Sequence, residues 1–354
     1  MAAISSVSSS STARDRSAAA ASRTSRRSGP ARPSAPLRSF PSASCTSCSA
    51  SRSRGGPPPR PTTPHIDLHC HSTASDGECE PVEVARRAHE VDLTAFALTD
   101  HDTTDGVAEA AREAATLGIR VIPGCEFSVR APWGELHVLA LFLPHEHEGL
   151  QTFLRDTRAA RRLRGEQIIA KLQGLGVAID LDDVEAQLLG GDGGALGRPH
   201  VARALVDCGA CDTVTDAFRR YLGRGRAAYV EKPLPKLGEV TALVHAVGGL
   251  TVAAHLGDHG TEAQLRIFQD QGLDCVEVRH PSHAPAVEQR LLRIAERLGL
   301  GITGGSDWHG ESEYGESHAP LGGMRVPDIW LEQLERRLEL TTRKRDERAA
   351  SDRQ

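Results

Sequence analysis

The sequence predicts an α/β protein in which a β/α barrel of seven strands is interrupted, after the fourth strand, by a run of helices. Three observations carry this. From His65 onward, short runs rich in Val, Ile, Leu and Ala alternate with stretches of helical periodicity, the pattern of a sheet covered by helices. Those runs keep ending in His, Asp or Glu, which a strand buried on both faces has no structural reason to do. A parallel barrel that gathers its strand ends into one site supplies the reason. Between residues 148 and 236 the alternation stops, and helix follows helix with no long apolar strand.

Taken in order, residues 1–64 are Ser, Ala, Arg and Pro without hydrophobic periodicity. Such a segment cannot bury enough apolar surface to offset the entropy of ordering, so it is expected to be disordered. Its acid-poor, Ser- and Arg-rich make-up resembles that of an organellar transit peptide, and an over-extended gene start accounts for it equally well. The first strand, Ile66-Asp67-Leu68-His69-Cys70-His71, points His69 and His71 to one side, with Asp76 returning just past its end. A helix opening on Pro81 follows, and then a second strand, residues 95–98, that runs into Asp100-His101-Asp102. Asp105-Gly106 caps the next helix, to about Leu117. The third strand reaches Glu126, and the fourth, residues 136–143, carries His137 near its start.

Helices are expected over residues 150–175, 181–189, 199–206 and 213–222. The barrel rhythm resumes with a helix over 237–247. Strands over 250–255, 275–279 and 301–305 follow, with helices near 262–271 and 285–298 between them; the fifth strand ends on His255 and the seventh leads to Asp307-Trp308-His309. A last helix, 327 to about 340, precedes a charged tail. The expected domains are thus 1–64 (leader), 65–147 with 237–340 (barrel), 148–236 (helical insertion) and 341–354 (tail).

Net charge is −5, but residues 1–64 hold ten Arg and one acidic residue, Asp15, and so carry about +9; by difference the rest carries about −14. An acidic body argues against a stable nucleic-acid complex, which requires phosphate neutralisation. The eight cysteines are scattered: Cys45–Cys48 and Cys208–Cys211 are both C-x-x-C, but no second pair stands at zinc-ribbon spacing, so free thiols in a reducing, cytoplasmic setting are expected. No run approaches the length of a membrane span.

The candidate cation ligands are His69, His71, Asp76, His101, Glu126, His137, His255, Asp307 and His309. They are too many for one ion and suit two or three, with carboxylates as bridges. Mixed imidazole and carboxylate donors favour Mn²⁺, Fe²⁺ or Zn²⁺, of which Mn²⁺ is preferred here, over the oxygen-seeking Mg²⁺ and Ca²⁺. Such a cluster activates water and neutralises phosphoryl oxygens, so phosphoester hydrolysis is the default chemistry, with Asp76, His101 and Asp102 assigned to catalysis. Of the remaining histidines, His89, His145, His147, His245, His259 and His318 are read as core or surface residues.

In its motifs His69-Cys70-His71, Thr99-Asp100-His101, Glu126, His137, His255 and Asp307-Trp308-His309, the stretch from 65 to about 340 resembles the PHP (polymerase and histidinol phosphatase) superfamily. Residues 73–77 and 98–104, Gly197-Arg198-Pro199-His200 and residues 221–226 resemble the branch that removes the 3′-phosphate of nucleoside 3′,5′-bisphosphates and trims short RNA from its 5′ end. The resemblance implies a distorted seven-stranded barrel, an inserted helical domain and a trinuclear centre. The sequence departs from the family at Leu256-Gly257-Asp258-His259 and at residues 278–283. Arg198, His200, Arg203, Arg224 and Arg226, near glycines or helix starts, are the candidate substrate-binding residues, whereas Arg155, Arg158, Arg161, Arg162 and Arg164 are read as a solvated helix face. The expected partner is a small phosphorylated substrate. Alternative readings are a histidinol-phosphatase-like or phosphotyrosine phosphatase, and a non-catalytic scaffold of the same fold.

Overall fold

A computed structural model of the protein describes residues 64–188, 196–311 and 318–351. The leader, Cys45, Cys48 and the last three residues of the tail lie outside the described residues. One mixed sheet holds β1 (His65–Cys70), β2 (Leu93–Leu98), β3 (Arg120–Ala131), β4 (Gly134–Leu141), β5 (Leu250–Ala253), β6 (Cys275–Arg279), β7 (Gly301–Gly304) and β8 (Val326–Pro327), in the order β7-β6-β5-β4-β3-β2-β1-β8. The eighth strand, a two-residue piece antiparallel to β1, is additional to the expected seven.

The sheet is not all parallel. β1, β2 and β3 are parallel neighbours, as are β5, β6 and β7, but β4 runs antiparallel to both β3 and β5. β3 continues five residues beyond Glu126 and turns back through Pro132-Trp133 directly into β4, pairing Ser128 with His137. Because β4 is reversed, His137 near its start lies beside the outgoing half of β3.

The sheet closes where the segment after β7 meets β1. The Asp307 N–H donates to the His69 carbonyl (2.9 Å) and the His71 N–H to that of Trp308 (2.9 Å). Asp67, fully buried, fastens the same seam by accepting from the backbone N–H groups of Ser306 (2.9 Å) and Gly322 (2.8 Å). Gly305 permits this approach: a Cβ there would lie 2.3 Å from His69 Cβ and 2.5 Å from His69 N. Gly305→Ala is therefore expected to lower stability by roughly 1–3 kcal/mol as overpacking against backbone. Gly174→Ala, at the end of α3 where a Cβ meets nothing within 4 Å, is the control. Equal denaturation midpoints for the two variants would show that the seam relaxes freely.

Inside the barrel, Ile66, Leu68, Ala97, Ile122, Leu139, Leu141 and Val252 form a core joined by Leu331 and Leu334 of α10 (Ile329–Ser351). α10 runs well past the expected stop near 340, because the Arg-, Glu- and Ala-rich tail consists of good helix formers and can continue an existing helix without an apolar stripe. On the outer face α7 (Leu237–Ala246), α8 (Glu262–Asp270) and α9 (Pro285–Leu298) pack against β3 to β6, and α1 (Pro81–Glu90) and α2 (Val107–Leu117) against β2. Between β4 and α7 come α3 (Glu148–Gly174), α4 (Leu181–Glu185), α5 (Arg198–Asp207), α6 (Val214–Ala217) and a π-helical turn (Phe218–Leu222). These have a core of their own, including Ile168, Leu172, Val184, Val201, Leu205 and Leu222. No described helix is long and apolar enough to cross a membrane, and the six described cysteines are free thiols.

Candidate metal centre

The centre is built around Glu126. It leaves β3 on the inward face, next to Cys125 and Phe127 of the outer core, and is fully buried. Its Oε2 lies 3.2 Å from His69 Nε2, 3.1 Å from His71 Nε2 and 3.3 Å from His101 Nδ1. Its Oε1 lies 2.7 Å from His137 Nδ1 and 3.2 Å from His255 Nε2. Five imidazoles from four strands and their ends thus converge on one carboxylate.

Two more carboxylates complete the arrangement. Asp307 Oδ1 is 3.1 Å from His69 Nε2 and 3.2 Å from His71 Nε2. Asp76 is 3.5 Å from His309 Nε2 and 3.8 Å from both His71 Nδ1 and His101 Nε2. The loop bearing Asp76 is fixed by Asp100, which accepts from the Ser72 N–H, the Ser72 hydroxyl and the Ser75 hydroxyl, each at 2.7 Å. Asp102, His255 and Asp307 have positive φ (51°, 32° and 52°), a conformation that costs non-glycine residues energy and that surrounding contacts must enforce.

The nine residues expected from the sequence as ligands meet here; eight of them fall into overlapping groups able to hold an ion, among them His71–Asp76–His101–His309, His69–His71–Glu126–Asp307 and His101–Glu126–His137, and His255 stands beside them at Glu126 Oε1. The donor chemistry fits divalent cations. Both ring nitrogens of His71, His101 Nδ1 and Asp76 Oδ1 are buried without a hydrogen-bond partner among the described residues, although carboxylate oxygens lie close by. Nitrogen and oxygen atoms so placed are disposed as joint ligands of a cation rather than as donor and acceptor.

Electrostatics agree with this. Burial raises the carboxyls of Glu126, Asp76 and Asp307, but the surrounding imidazoles, His101 foremost for Glu126 and Asp76 and His69 for Asp307, outweigh it and hold all three well below the ordinary range. Burial lowers the imidazoles in turn; nearby carboxylates reverse this at His71, pushed up to about 10, and at His137, pushed up to about 9, whereas burial wins at His101, pushed down to about 3. Three buried carboxylates held ionised demand positive charge, which protons meet in part when metal is absent.

A cavity of about 330 Å³ opens over the cluster, and Arg203 of α5 stands in its wall with Nε and Nη2 buried and without a hydrogen-bond partner among the described residues. The other substrate candidates are placed differently. His200 is buried, accepts from the Gly197 N–H at 3.0 Å and is pushed down to about 4, by burial first. The Arg198 guanidinium lies over the rings of Phe218 (5.6 Å) and Tyr229 (5.9 Å), and Arg224 and Arg226 are exposed; none of the three lines the cavity.

Two readings need correction. Arg161 is not on a solvated face: it is buried and ion-paired with Asp102, and Arg164, also buried, donates to the Val230 carbonyl (2.9 Å). Asp102, assigned to catalysis with Asp76 and His101, has its carboxylate engaged by Arg161 and lines a separate cavity with Lys232 rather than the one over the cluster. Sequence reasoning also missed His280 and His318, which line the cavity near Asp307 (3.6 and 3.5 Å), and Glu277 on β6. A glutamate alone in a buried apolar strand was a signal of the same kind that identified Glu126. The departing Leu256–His259 stretch forms a short 3₁₀ turn on which His259 stacks over Trp133, ring centroids 4.1 Å apart.

The PHP domain model matches residues 67–167. Among curated relatives, the 5′-3′ exoribonuclease Rnm of Salmonella typhimurium is 33% identical over 250 residues, 69% of this chain and 84% of the relative. The 3′,5′-nucleoside bisphosphate phosphatase of Chromobacterium violaceum is 36% identical over 258 residues, 71% and 89% of the two chains. A solved Bifidobacterium adolescentis structure described as a metal-dependent phosphoesterase superposes with a TM-score of 0.70 at 34% identity, covering 78% of this chain and 96% of that one.

Proposed function

The chain belongs to the PHP domain family of metal-dependent phosphoesterases, and on that premise we propose that it hydrolyses the 3′-phosphate of nucleoside 3′,5′-bisphosphates, short RNA from the 5′ end, or both. The observation that carries the reading is the pairing of a buried polycarboxylate–imidazole centre with an arginine, Arg203, that has buried donors without a partner among the described residues, in one cavity wall. A substrate with two phosphates at some distance has a use for both.

His69, His71, Asp76, His101, Glu126, His137, His255, Asp307 and His309 would hold two or three divalent ions, Mn²⁺ first among candidates. Bound ions lower the pKa of a water nucleophile and offset the charge of the reacting phosphoryl group. The protein supplies the rest. Carboxylate oxygens of Asp76 (3.8 Å) and Glu126 (3.3 Å) flank the two nitrogens of the His101 ring at the edge of the cavity. Arg203 offers two donors to the distal phosphate, so that binding energy from a remote group orients the reacting one. With Arg198 held over aromatic rings, the distal contact falls to Arg203.

The test is a panel of phosphoesters with Mn²⁺: adenosine 3′,5′-bisphosphate, a 5′-phosphorylated oligoribonucleotide, p-nitrophenyl phosphate, histidinol phosphate and a phosphotyrosine peptide. The first two are expected to have the highest kcat/KM. Preference for either of the last two overturns the assignment, and turnover of none favours a scaffold. Arg203→Ala is expected to lower kcat/KM for the bisphosphate roughly 10- to 100-fold, corresponding to about 1.5–3 kcal/mol for one charge-assisted contact. Hydrolysis of p-nitrophenyl phosphate, which lacks the second phosphate, should fall much less. Equal losses on both would move Arg203 to the reacting phosphate or to folding.

A further inference from the structure

Glu277 is the one fully buried carboxylate of β6, on the inward face between Cys275 of the barrel interior and the cavity. Its two oxygens have separate partners. Oε1 accepts from His69 Nδ1 at 3.1 Å, and Oε2 accepts from the backbone N–H of His255 at 2.7 Å. The first contact crosses the seam at which the sheet closes, since β6 lies on one side of it and β1 on the other. The second holds the backbone of a residue whose φ of 32° it would not adopt unaided.

We propose that Glu277 is a positioning residue that presets two ligands of the metal centre together, the ring of His69 and the backbone of His255. With its Nδ1 proton committed to Oε1, the His69 ring is locked in the tautomer that leaves Nε2 as a lone-pair donor, and Nε2 is the atom that faces Glu126 and Asp307. Only a carboxylate can do both jobs, because it accepts at each oxygen. A glutamine of the same shape accepts at one oxygen and sets its NH₂ against the other donor, so either His69 or His255 loses its anchor. The inference rests on the reading of this cluster as a metal centre.

The experiment compares the full chain with Glu277→Gln. Mn²⁺ binding is followed by titration calorimetry and by metal content after desalting, and the unfolding midpoint is measured on chelated protein. Wild type is expected to retain bound Mn²⁺, and Glu277→Gln to bind it about 10- to 100-fold more weakly, the range for loss of a group that orients a ligand. The substrate KM at saturating Mn²⁺ should be unchanged. In a His69→Ala background the same substitution should lower affinity by a smaller factor, since one of its two targets is gone. Unaltered Mn²⁺ affinity in Glu277→Gln overturns the proposal, and so does a lowered midpoint of the chelated protein as the only change, which marks a purely structural contact. A wild-type chain that binds no divalent ion overturns the metal reading, and the proposal with it.

Discussion

Replacing Glu126 with alanine is expected to lower kcat/KM on every phosphoester by about 10³-fold or more. The carboxylate faces five imidazoles, so its removal takes the shared acidic ligand from every ion group that uses it. Charge stabilisation by a correctly held ion amounts to several kcal/mol, and about 4 kcal/mol corresponds to three powers of ten in rate. Glu126→Gln preserves the volume but not the charge and should fail nearly as badly, which separates ligation from packing. Circular dichroism of both variants should remain that of the wild type. A loss below tenfold at saturating Mn²⁺ in either variant would take Glu126 out of the centre.

Exhaustive chelation should reduce turnover to background and lower the unfolding temperature, with both restored by Mn²⁺. An ion that binds only the folded chain adds about 2.7 kcal/mol of stability at a hundred times its dissociation constant, and removing it withdraws that amount. The chelated protein should remain folded, because the barrel interior and the outer helical layer are independent of the ligands. Full activity after chelation, with metal content verified as negligible, would end the metal mechanism.

The barrel was legible wherever a strand ended in a ligand. β1, β2, β5 and β7 each combine a short apolar run with His or Asp just at or beyond the strand end, and local composition suffices for that. The reversal of β4 was not, because side-chain alternation is the same in both directions. Its only trace was Ala131-Pro132-Trp133-Gly134, a turn with no helix between two strands. Short pairing pieces such as β8 depend on what lies opposite, here His65 and Ile66, and carry no pattern of their own.

The site shows the same division. Most of the nine candidate ligands were legible from their placement at or just beyond strand ends, whereas Arg161 was misread because an arginine on a long helix looks the same whether it meets water or a buried carboxylate. His318 was misread for a related reason: it comes to Asp307 from beyond the last ligand motif, in a stretch without periodicity. Arg203 and Arg198 both lie on α5, but only the folded chain separates a side chain in the cavity wall from one laid over Phe218 and Tyr229.

The buried Arg161–Asp102 pair joins α3 to the residue next to His101, and Arg158 adds a bond to the Asp102 carbonyl at 3.1 Å. On the proposed reading of the centre, this makes the helical segment and the candidate ligands partners in one linkage. Whatever favours one arrangement of residues 100–102 shifts the docking of α3 by the same free energy, and the reverse holds equally. The core of that segment, with Leu172 and Leu205, is thereby tied to the candidate centre through one buried ion pair.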